Sequence, residues 1–388
     1  MTFRTRLTVL LISTPVLAFV LVGGLIGKTR SGDQQFQHLR VFDDVVSLVL
    51  NNYVEEVKVD RVMEGAMRGL ADGLDADSAY LTPRQVRAIE SGEAQPEGDV
   101  GLELTRQYYL RVIAARDGSS AAKAGLQTGD YVRAIDGKPT RDMSVFEGSR
   151  LLRGQPGSKV TLTVIRGNAA DPHEVVLVRE KVSGPQITSR LMGDAGYVRI
   201  AAFRNGVAED LRRQVADLTK GGAKSLVIDI RRTAEGPLDN GIAAARLFVK
   251  SGTLAIKAGR EGQGQAKETI TANPGDGSIE LPVTLLVTTG TSGAAELFAA
   301  ALDGNKRAEL VGERTLGRAA VQKLVKLPEY RGLWLTYARY LRPTGEPIHG
   351  KGLEPDLQIE EPDVEFGAAA PETDPILDAA LERLRSRG

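Results

Sequence analysis

Residues 7–27 form a mostly apolar stretch, with two arginines before it and with Lys28 and Arg30 after it. About 20 apolar residues are enough for a helix to cross a bilayer, whereas the apolar core of a cleavable signal peptide is shorter. The pattern therefore predicts an uncleaved membrane anchor within residues 1–30. A cleaved signal peptide is the main alternative, because the glycine-containing sequence at 23–27 weakly resembles a cleavage site. A buried core helix is a second alternative.

The position of this stretch also predicts where the rest of the chain lies. Nearly all of the sequence follows residue 30, and only a few residues precede the apolar stretch. Basic residues flank both ends, so the charge bias sets the orientation only weakly. We expect an inner-membrane anchor with a periplasmic body in a bacterial cell envelope, or a secreted protein if the segment is cleaved.

Between residues 36 and 92 the apolar residues recur near the helical period of 3.6. A polar break at 73–77 interrupts this pattern, and the residues at 78–83 open another short helix. The pattern predicts an N-terminal helical region over residues 31–97, which ends in a linker rich in Gly, Pro and Glu.

From residue 100 to residue 182 the helical period gives way to short strands. The strands are predicted at 100–104, 110–115, 131–135, 160–165 and 175–178. Gly125 and Gly129 end a short helix and form a turn, because glycine tolerates a positive φ. A longer helix is predicted at 143–152. Together these elements predict a compact β module over residues 98–183.

After residue 185 apolar strands alternate with helices. The strands are predicted at 197–200, 225–230, 281–287, 309–312 and 334–340, and the main helices at 207–218, 236–249 and 294–302. This alternation predicts an α/β core with a largely buried sheet over residues 184–360. Residues 361–388 are predicted to be a mobile tail that ends in a short amphipathic helix at 376–384. The fold class that follows is a multidomain α+β and α/β protein.

Composition narrows the possible functions. The chain has 388 residues, with 50 basic and 50 acidic side chains and a net charge of zero, so nothing indicates a nucleic-acid partner. The absence of cysteine excludes disulfides, thiolate nucleophiles and Cys-ligated zinc. Three scattered histidines argue against a His-rich metal site. We expect neither a cofactor nor a metal.

Two segments of the predicted core could carry chemistry. A predicted strand runs into a tight turn at 288–293, and a helix begins at Ala294. The N-terminus of a helix supplies N–H donors to a developing negative charge, although the same residues also serve as a simple cap. Asp229 stands at a strand end, where a structural pair with Arg231 is favoured over a catalytic role. The arginine pair at 231–232 is predicted to be solvated.

The β module resembles a PDZ domain. Residues 121–130 read A-A-K-A-G-L-Q-T-G-D and are followed by the I-D-G turn at 135–137, which are typical of that family. Such domains bind a peptide C-terminus as an added strand beside a carboxylate-binding loop. The resemblance assigns the loop, which begins at Asp99, and the strand to Val100, Gly101, Leu102, Glu103 and Leu104. The alternative is a β module that only spaces two domains.

Residues 36–384 resemble the carboxyl-terminal processing proteases, also called tail-specific proteases, of peptidase family S41. The matching segments are collinear and lie at 69–81, 196–203, 311–317, 338–345 and 349–356. Members of this family cut polypeptides near the C-terminus with a Ser nucleophile and a Lys general base. A Lys can act as a base because burial lowers its pKa.

The catalytic motifs of the family are altered in this chain. With Glu296 as the anchor of the alignment, the nucleophile position is Gly293, which has no side chain. The base position is Arg318, which stays protonated at ordinary pH, while the supporting Gln remains as Gln322. The oxyanion loop R-x-N-P-G-G reads R-R-T-A-E-G at 231–236, which replaces one of the paired glycines with Glu235 and keeps Gly236.

These departures favour a catalytically degenerate envelope protein that binds polypeptides without cutting them. It would act as an adaptor, a decoy or a regulatory subunit. The expected partners are polypeptide C-termini or unstructured protein segments, and also an active protease or another envelope protein. One alternative is an active serine protease in which Ser292 is the nucleophile. A different chemistry or a structural role in the same cleft is the other.

Overall fold

The computed structural model describes residues 37–167, 171–182, 184–260, 267–368 and 371–387. The anchor predicted at residues 7–27 lies outside these ranges. Among the helices within them, none is both long enough and apolar enough to span a membrane. The chain divides into two units, Met1–Leu70 and Ala71–Gly388.

Helices and strands follow one another along the described residues. The helices are α1 37–52, α2 Val59–Asp72, α3 Pro83–Glu90, α4 Ser120–Lys123, α5 Val145–Leu152, α6 Val207–Lys220, α7 Leu238–Ala245, α8 Ala294–Gly304 and α9 Pro375–Arg387. The strands are β1 Ala79–Leu81, β2 Gly98–Asp99, β3 Leu102–Gln107, β4 Tyr109–Ala115, β5 Tyr131–Ile135, β6 Lys138–Pro139, β7 Lys159–Ile165, β8 His173–Val178, β9 Glu180–Lys181, β10 Ile187–Met192, β11 Ala195–Ile200, β12 Ser225–Asp229, β13 Thr253–Gly259, β14 Glu268–Thr271, β15 Val283–Val287, β16 Ala308–Gly312, β17 Ala320–Lys326, β18 Gly332–Leu341 and β19 Leu357–Gln358. A 3₁₀ turn at Pro328–Tyr330 joins β17 to β18.

The described part of the first unit is helical. It consists of α1 and most of α2, and its apolar side chains include the exposed Leu39, Val45 and Leu48. None of the side chains described between residues 37 and 70 is buried. The helical period predicted these elements, and the structure contains them.

The β module is built on a sheet with the strand order β3-β4-β5-β7-β8, with β6 paired to β5. Leu104, Leu110, Leu162 and Leu177 are among the fully buried side chains that form its core. The first strand, β3, begins at Leu102 rather than at residue 100 as predicted. Within the described residues β3 pairs only with β4, so its other edge carries no strand.

The main sheet of the core has the order β10-β11-β12-β15-β16-β19. Strands β11, β12, β15, β16 and β19 are parallel, and β10 is antiparallel to β11. One face packs against α6, α7 and α8, and the other face packs against α9. Because both faces are covered, the strands are nearly continuous apolar runs, as the sequence predicts.

A second sheet has the order β1-β18-β13-β14, with β17 also paired to β18. Its first strand corrects the prediction that residues 78–83 open a helix. Ala79 and Leu81 are buried and pair with Trp334 and Gly332 of β18, and α3 begins only at Pro83. Their burial against a distant strand could not be read from the local period.

The tail that begins at residue 361 was predicted to be mobile, but it contacts the β module through Phe366. Phe366 stacks on His173 of the β module with ring centroids 4.4 Å apart, and Arg166 lies over the same ring. The helix predicted after it is α9, which buries Ile376 and Ala380 against the main sheet. The described residues around Phe366 and in α9 are therefore packed against the rest of the second unit rather than forming a free extension.

Candidate active site

The predicted nucleophile position lies at the junction between β15 and α8. Gly293 is the N-cap of α8 and has φ 64° and ψ −119°, a conformation that side chains rarely adopt. A Cβ built there would lie 3.7 Å from Leu238, 3.8 Å from the carbonyl oxygen of Arg318 and 3.9 Å from that of Ala234. These are ordinary contacts, so the site has room for a side chain that the sequence lacks.

A buried carboxylate, Glu296, joins the two substituted positions. Its Oε2 accepts hydrogen bonds from the backbone N–H groups of Gly293 (3.1 Å) and Arg318 (2.7 Å). Its Oε1 accepts from the Thr315 hydroxyl and the Gly317 N–H group. Burial raises the pKa of Glu296, and these four donors oppose the rise. Glu296 therefore joins the backbones of residues 293 and 318 within the site.

Arg318, at the predicted base position, makes ion pairs with two carboxylates. Its Nε donates to Asp77 Oδ1 at 2.8 Å, and its Nη1 lies 3.9 Å from Glu103 Oε2. The same Nη1 donates to the carbonyl oxygen of Leu104 at 3.3 Å. A guanidinium held by carboxylates cannot accept a proton from a nucleophile.

The oxyanion loop approaches the same point. Gly236 has φ 126°, and a Cβ there would overlap the carbonyl oxygen of Phe203, so this position requires glycine. Glu235 forms an ion pair with Arg116 of the β module at 2.9 Å, and both side chains are mostly buried. The loop thus presents a paired negative side chain rather than a second glycine.

Ser292, the alternative nucleophile, is only 1% exposed. Its backbone N–H group donates to the carbonyl oxygen of Thr233. A buried hydroxyl does not reach a polypeptide on the surface of the cleft, so this placement disfavours Ser292 as a nucleophile. Gln322 lies on β17, where its Nε2 donates to the Thr336 hydroxyl at 3.2 Å.

The predicted peptide-binding residues lie at the start of the β module. Val100, Leu102 and Leu104 are buried in its core, and Gly101 has φ 78°. The N–H group of Gly101 donates to Asp99 Oδ1 at 2.6 Å, so a side chain of this chain occupies one donor of the predicted carboxylate-binding loop.

Glu103, on β3, faces the cleft. Burial raises its pKa to about 7, the Arg318 charge opposes this, and the nearby Glu235 and Asp99 reinforce it. About 40% of the Glu103 side chain remains exposed.

Several charged residues near the site were not singled out from the sequence. Asp77 and Arg116 are the partners of Arg318 and Glu235, and only the three-dimensional arrangement brings them there. Arg199 joins Asp117 of the β module to the Thr233 hydroxyl in the oxyanion loop. No local sequence signal identifies these long-range partners.

Asp229 has the structural role that the sequence favours. It accepts hydrogen bonds from Arg231 and from the Tyr197 hydroxyl. Burial alone would raise its pKa, but the bonds and charges of Arg231 and Arg199 hold it below its usual range. The prediction that Arg231 is solvated is wrong, because this side chain is buried between Asp229 and Asp374.

Comparison with known proteins assigns the two parts of the second unit. The profile of peptidase family S41 matches residues 194–359, and a PDZ domain profile matches residues 111–166. The carboxyl-terminal-processing protease of Synechocystis sp. is 31% identical over 312 residues, which cover 78% of this chain and 72% of that protein. The chain belongs to peptidase family S41. The β module is its PDZ domain.

Other relatives of this S41 chain agree. The carboxy-terminal-processing protease of Bartonella bacilliformis is 29% identical over 339 residues, which cover 86% of this chain and 78% of that protein. The solved structure of a photosystem II D1 C-terminal processing protease superimposes with a TM-score of 0.68 at 29% identity. That match covers 81% of this chain and 85% of the other. The S41 chain is thus a mixed α/β protein in which a PDZ domain accompanies a protease-like core.

Proposed function

We propose that this S41 chain is a catalytically degenerate member of the family that binds polypeptide C-termini or unstructured segments through its PDZ domain without cleaving them. The observation that carries the proposal is Gly293. The backbone at this position keeps the sharp turn and the room for a side chain, but it has no atom that can attack a carbonyl.

The second substitution supports the same conclusion independently. Proton transfer to a general base requires a group that is neutral near working pH, and Arg318 is both charged and paired with Asp77. The negative Glu235 in the oxyanion loop also opposes the development of a negative charge nearby. Each of the three changes affects a different requirement of peptide-bond cleavage, namely the nucleophile, the general base and the stabilisation of the oxyanion.

The proposal includes a location and a partner class. The apolar stretch at 7–27 would tether the protein to the inner membrane with its body in the periplasm, or would be removed on secretion. There the protein would act as an adaptor, a decoy or a regulatory subunit for an active protease or another envelope protein.

A single experiment tests this proposal. The full-length chain is incubated with an unstructured polypeptide that ends in apolar residues, and binding and cleavage are measured in the same samples by anisotropy and mass spectrometry. The carboxyl-terminal-processing protease of Synechocystis sp. serves as the positive control for cleavage. We expect binding without cleavage, unchanged in Ser292→Ala.

The double variant Gly293→Ser with Arg318→Lys restores the residue types of the family. If this variant cleaves the polypeptide and the unaltered chain does not, the result would support the proposal that the residues at these two positions prevent cleavage. Cleavage by the unaltered chain that disappears in Ser292→Ala would refute the proposal, because it would mean that the site has been rebuilt around another nucleophile.

A further inference from the structure

Two residues that depart from the family pattern both make ionic contacts with the PDZ domain. Arg318 replaces the base, and Glu235 replaces a glycine of the oxyanion loop. The family's usual residues at these positions, Lys and Gly, would not supply the same contacts. Lys has no planar fork of donors, and Gly has no side chain.

The Arg318 side chain connects three groups. It is anchored by Asp77, which precedes β1, and it reaches Glu103 and the carbonyl oxygen of Leu104 on β3. Arg318 is 28% exposed and Asp77 is 6% exposed, so the ion pair between them is partly shielded from water. A guanidinium can make these contacts at once because its donors point in several directions.

Glu235 makes the second ionic contact with the PDZ domain. Its carboxylate pairs with Arg116, which follows β4, at 2.9 Å. The Arg116 and Glu235 side chains are 11% and 22% exposed, so this pair is also shielded. The N–H group of Arg116 in turn donates to the carbonyl oxygen of Gly101 in the loop itself.

We propose that Arg318 and Glu235 form a clamp that fixes β3 of the PDZ domain against the former catalytic cleft and must open before a polypeptide binds. Peptides bind to such domains as an added strand that uses the backbone groups at the open edge of β3. The hydrogen bond from Arg318 to Leu104 occupies one of the carbonyl groups there. The residues that replaced the catalytic machinery thus regulate the binding that remains.

This inference rests on the proposed polypeptide binding, so its test includes a measurement that needs no ligand. Binding of an unstructured polypeptide that ends in apolar residues is measured with the full-length chain and with Arg318→Gln and Glu235→Gly. We expect each variant to bind about five- to tenfold more tightly, because opening no longer breaks a shielded ion pair. Arg314→Gln is the matched control, since Arg314 lies in the same loop but pairs with Glu354.

The second measurement reports the position of the PDZ domain. The chain has no cysteine, so spin labels can be attached at Lys138→Cys in the PDZ domain and Arg212→Cys on α6, which are both exposed. Electron–electron resonance then measures the distance between the labels without ligand. We expect one narrow distribution in the otherwise unaltered chain and in Arg314→Gln, and broader or longer distributions in Arg318→Gln and Glu235→Gly.

The outcomes separate the two proposals. If the distance distributions are unchanged in Arg318→Gln and Glu235→Gly, or if these variants bind the polypeptide no more tightly than the unaltered chain, the clamp is refuted. Either result leaves the proposal of polypeptide binding unaffected. Changed distributions without binding by any chain would support the clamp and refute polypeptide binding. Tighter binding together with changed distributions supports both.

Discussion

At the scale of single residues, position 293 combines an unusual backbone conformation with unused space. Residues with a side chain rarely adopt its φ of 64° and ψ of −119°, whereas glycine adopts them at little cost. Here Glu296 maintains this conformation by accepting a hydrogen bond from the Gly293 N–H group, even though no nucleophile stands at that position. The backbone conformation at this position therefore does not depend on a side chain at residue 293.

Two glycines of the site allow a direct comparison. We expect Gly293→Ala to lower the free energy of unfolding by about 1–2 kcal/mol, because the added Cβ fits but the φ is unfavourable. We expect Gly236→Ala to cost more than about 3 kcal/mol, because its Cβ would overlap the Phe203 carbonyl oxygen. Urea denaturation measures both. Equal decreases in the free energy of unfolding would contradict the conclusion that position 293 has room for a Cβ and position 236 does not.

Glu296 gives a second prediction at this scale. The Glu296 carboxylate accepts hydrogen bonds from four donors. In Glu296→Gln one of its two oxygens becomes an NH₂ group, which cannot accept, so at least one of these donors loses its partner. We expect the free energy of unfolding to fall by about 2–4 kcal/mol. The exposed Glu280→Gln is the control, and an equally small effect in both variants would disprove the role given to Glu296.

The sequence predicts the site unevenly, and the reason lies in the range of the contacts. Gly293 and Arg318 could be singled out because they lie within continuous motifs, and the structure joins their backbones through Glu296. The partners of Arg318 could not, since Asp77 and Leu104 are separated from it by 241 and 214 residues. The prediction that Arg231 is solvated was wrong for the same reason, because its burial depends on the distant residue Asp374.

At the scale of elements, α9 is more than an amphipathic helix at the end of a tail. It covers the face of the main sheet that carries Val227, Leu286 and Val311. The other face is covered by α6, α7 and α8, so the removal of α9 would leave an apolar surface in water.

This packing predicts a large effect of one side chain. Ile376 is completely buried, so Ile376→Ala is expected to lower the free energy of unfolding by about 2–4 kcal/mol through lost burial and the cavity that it leaves. Glu382→Ala, at an exposed position of the same helix, is the control. Chemical denaturation with tryptophan fluorescence measures both. A loss below about 1 kcal/mol for Ile376→Ala would show that the helix only rests on the sheet.

The elements that the sequence predicted share a strong local signal. The parallel strands are apolar runs, and β12, β15 and β16 were all predicted. The strands β13, β14 and β17 were not, because they alternate buried and exposed residues irregularly and are defined by pairing with each other or with β18. Their existence depends on partners distant in sequence rather than on their own pattern.

At the scale of the whole molecule, the clamp predicts a dependence on pH. Glu103 titrates at about 7 beside Arg318, Arg153, Glu235 and Asp99, whereas a hydrated glutamate titrates near about 4.3. The closed arrangement therefore binds the Glu103 proton more tightly, so closure is most favoured below about pH 4.3 and this advantage is lost as the pH rises from there to about 7.

The measurable result is the affinity for an unstructured polypeptide. We expect it to rise about three- to tenfold between about pH 5.5 and about pH 8, a limited change because the Glu103 side chain is partly exposed. Glu103→Gln should flatten the profile, and Glu97→Gln, at an exposed position before β2, should leave it unchanged. A profile that is the same in all three chains would exclude Glu103 as the titrating group.

The position of α9 also has a consequence for synthesis. Every strand of the main sheet leaves the ribosome before Pro375–Arg387 does, so the face that carries Val227 and Leu286 has no cover while the nascent chain grows. Exposed apolar surface of this kind is what chaperones bind and what causes aggregation of incomplete chains. The synthesis of α9 therefore determines when this face of the newly made sheet ceases to need protection.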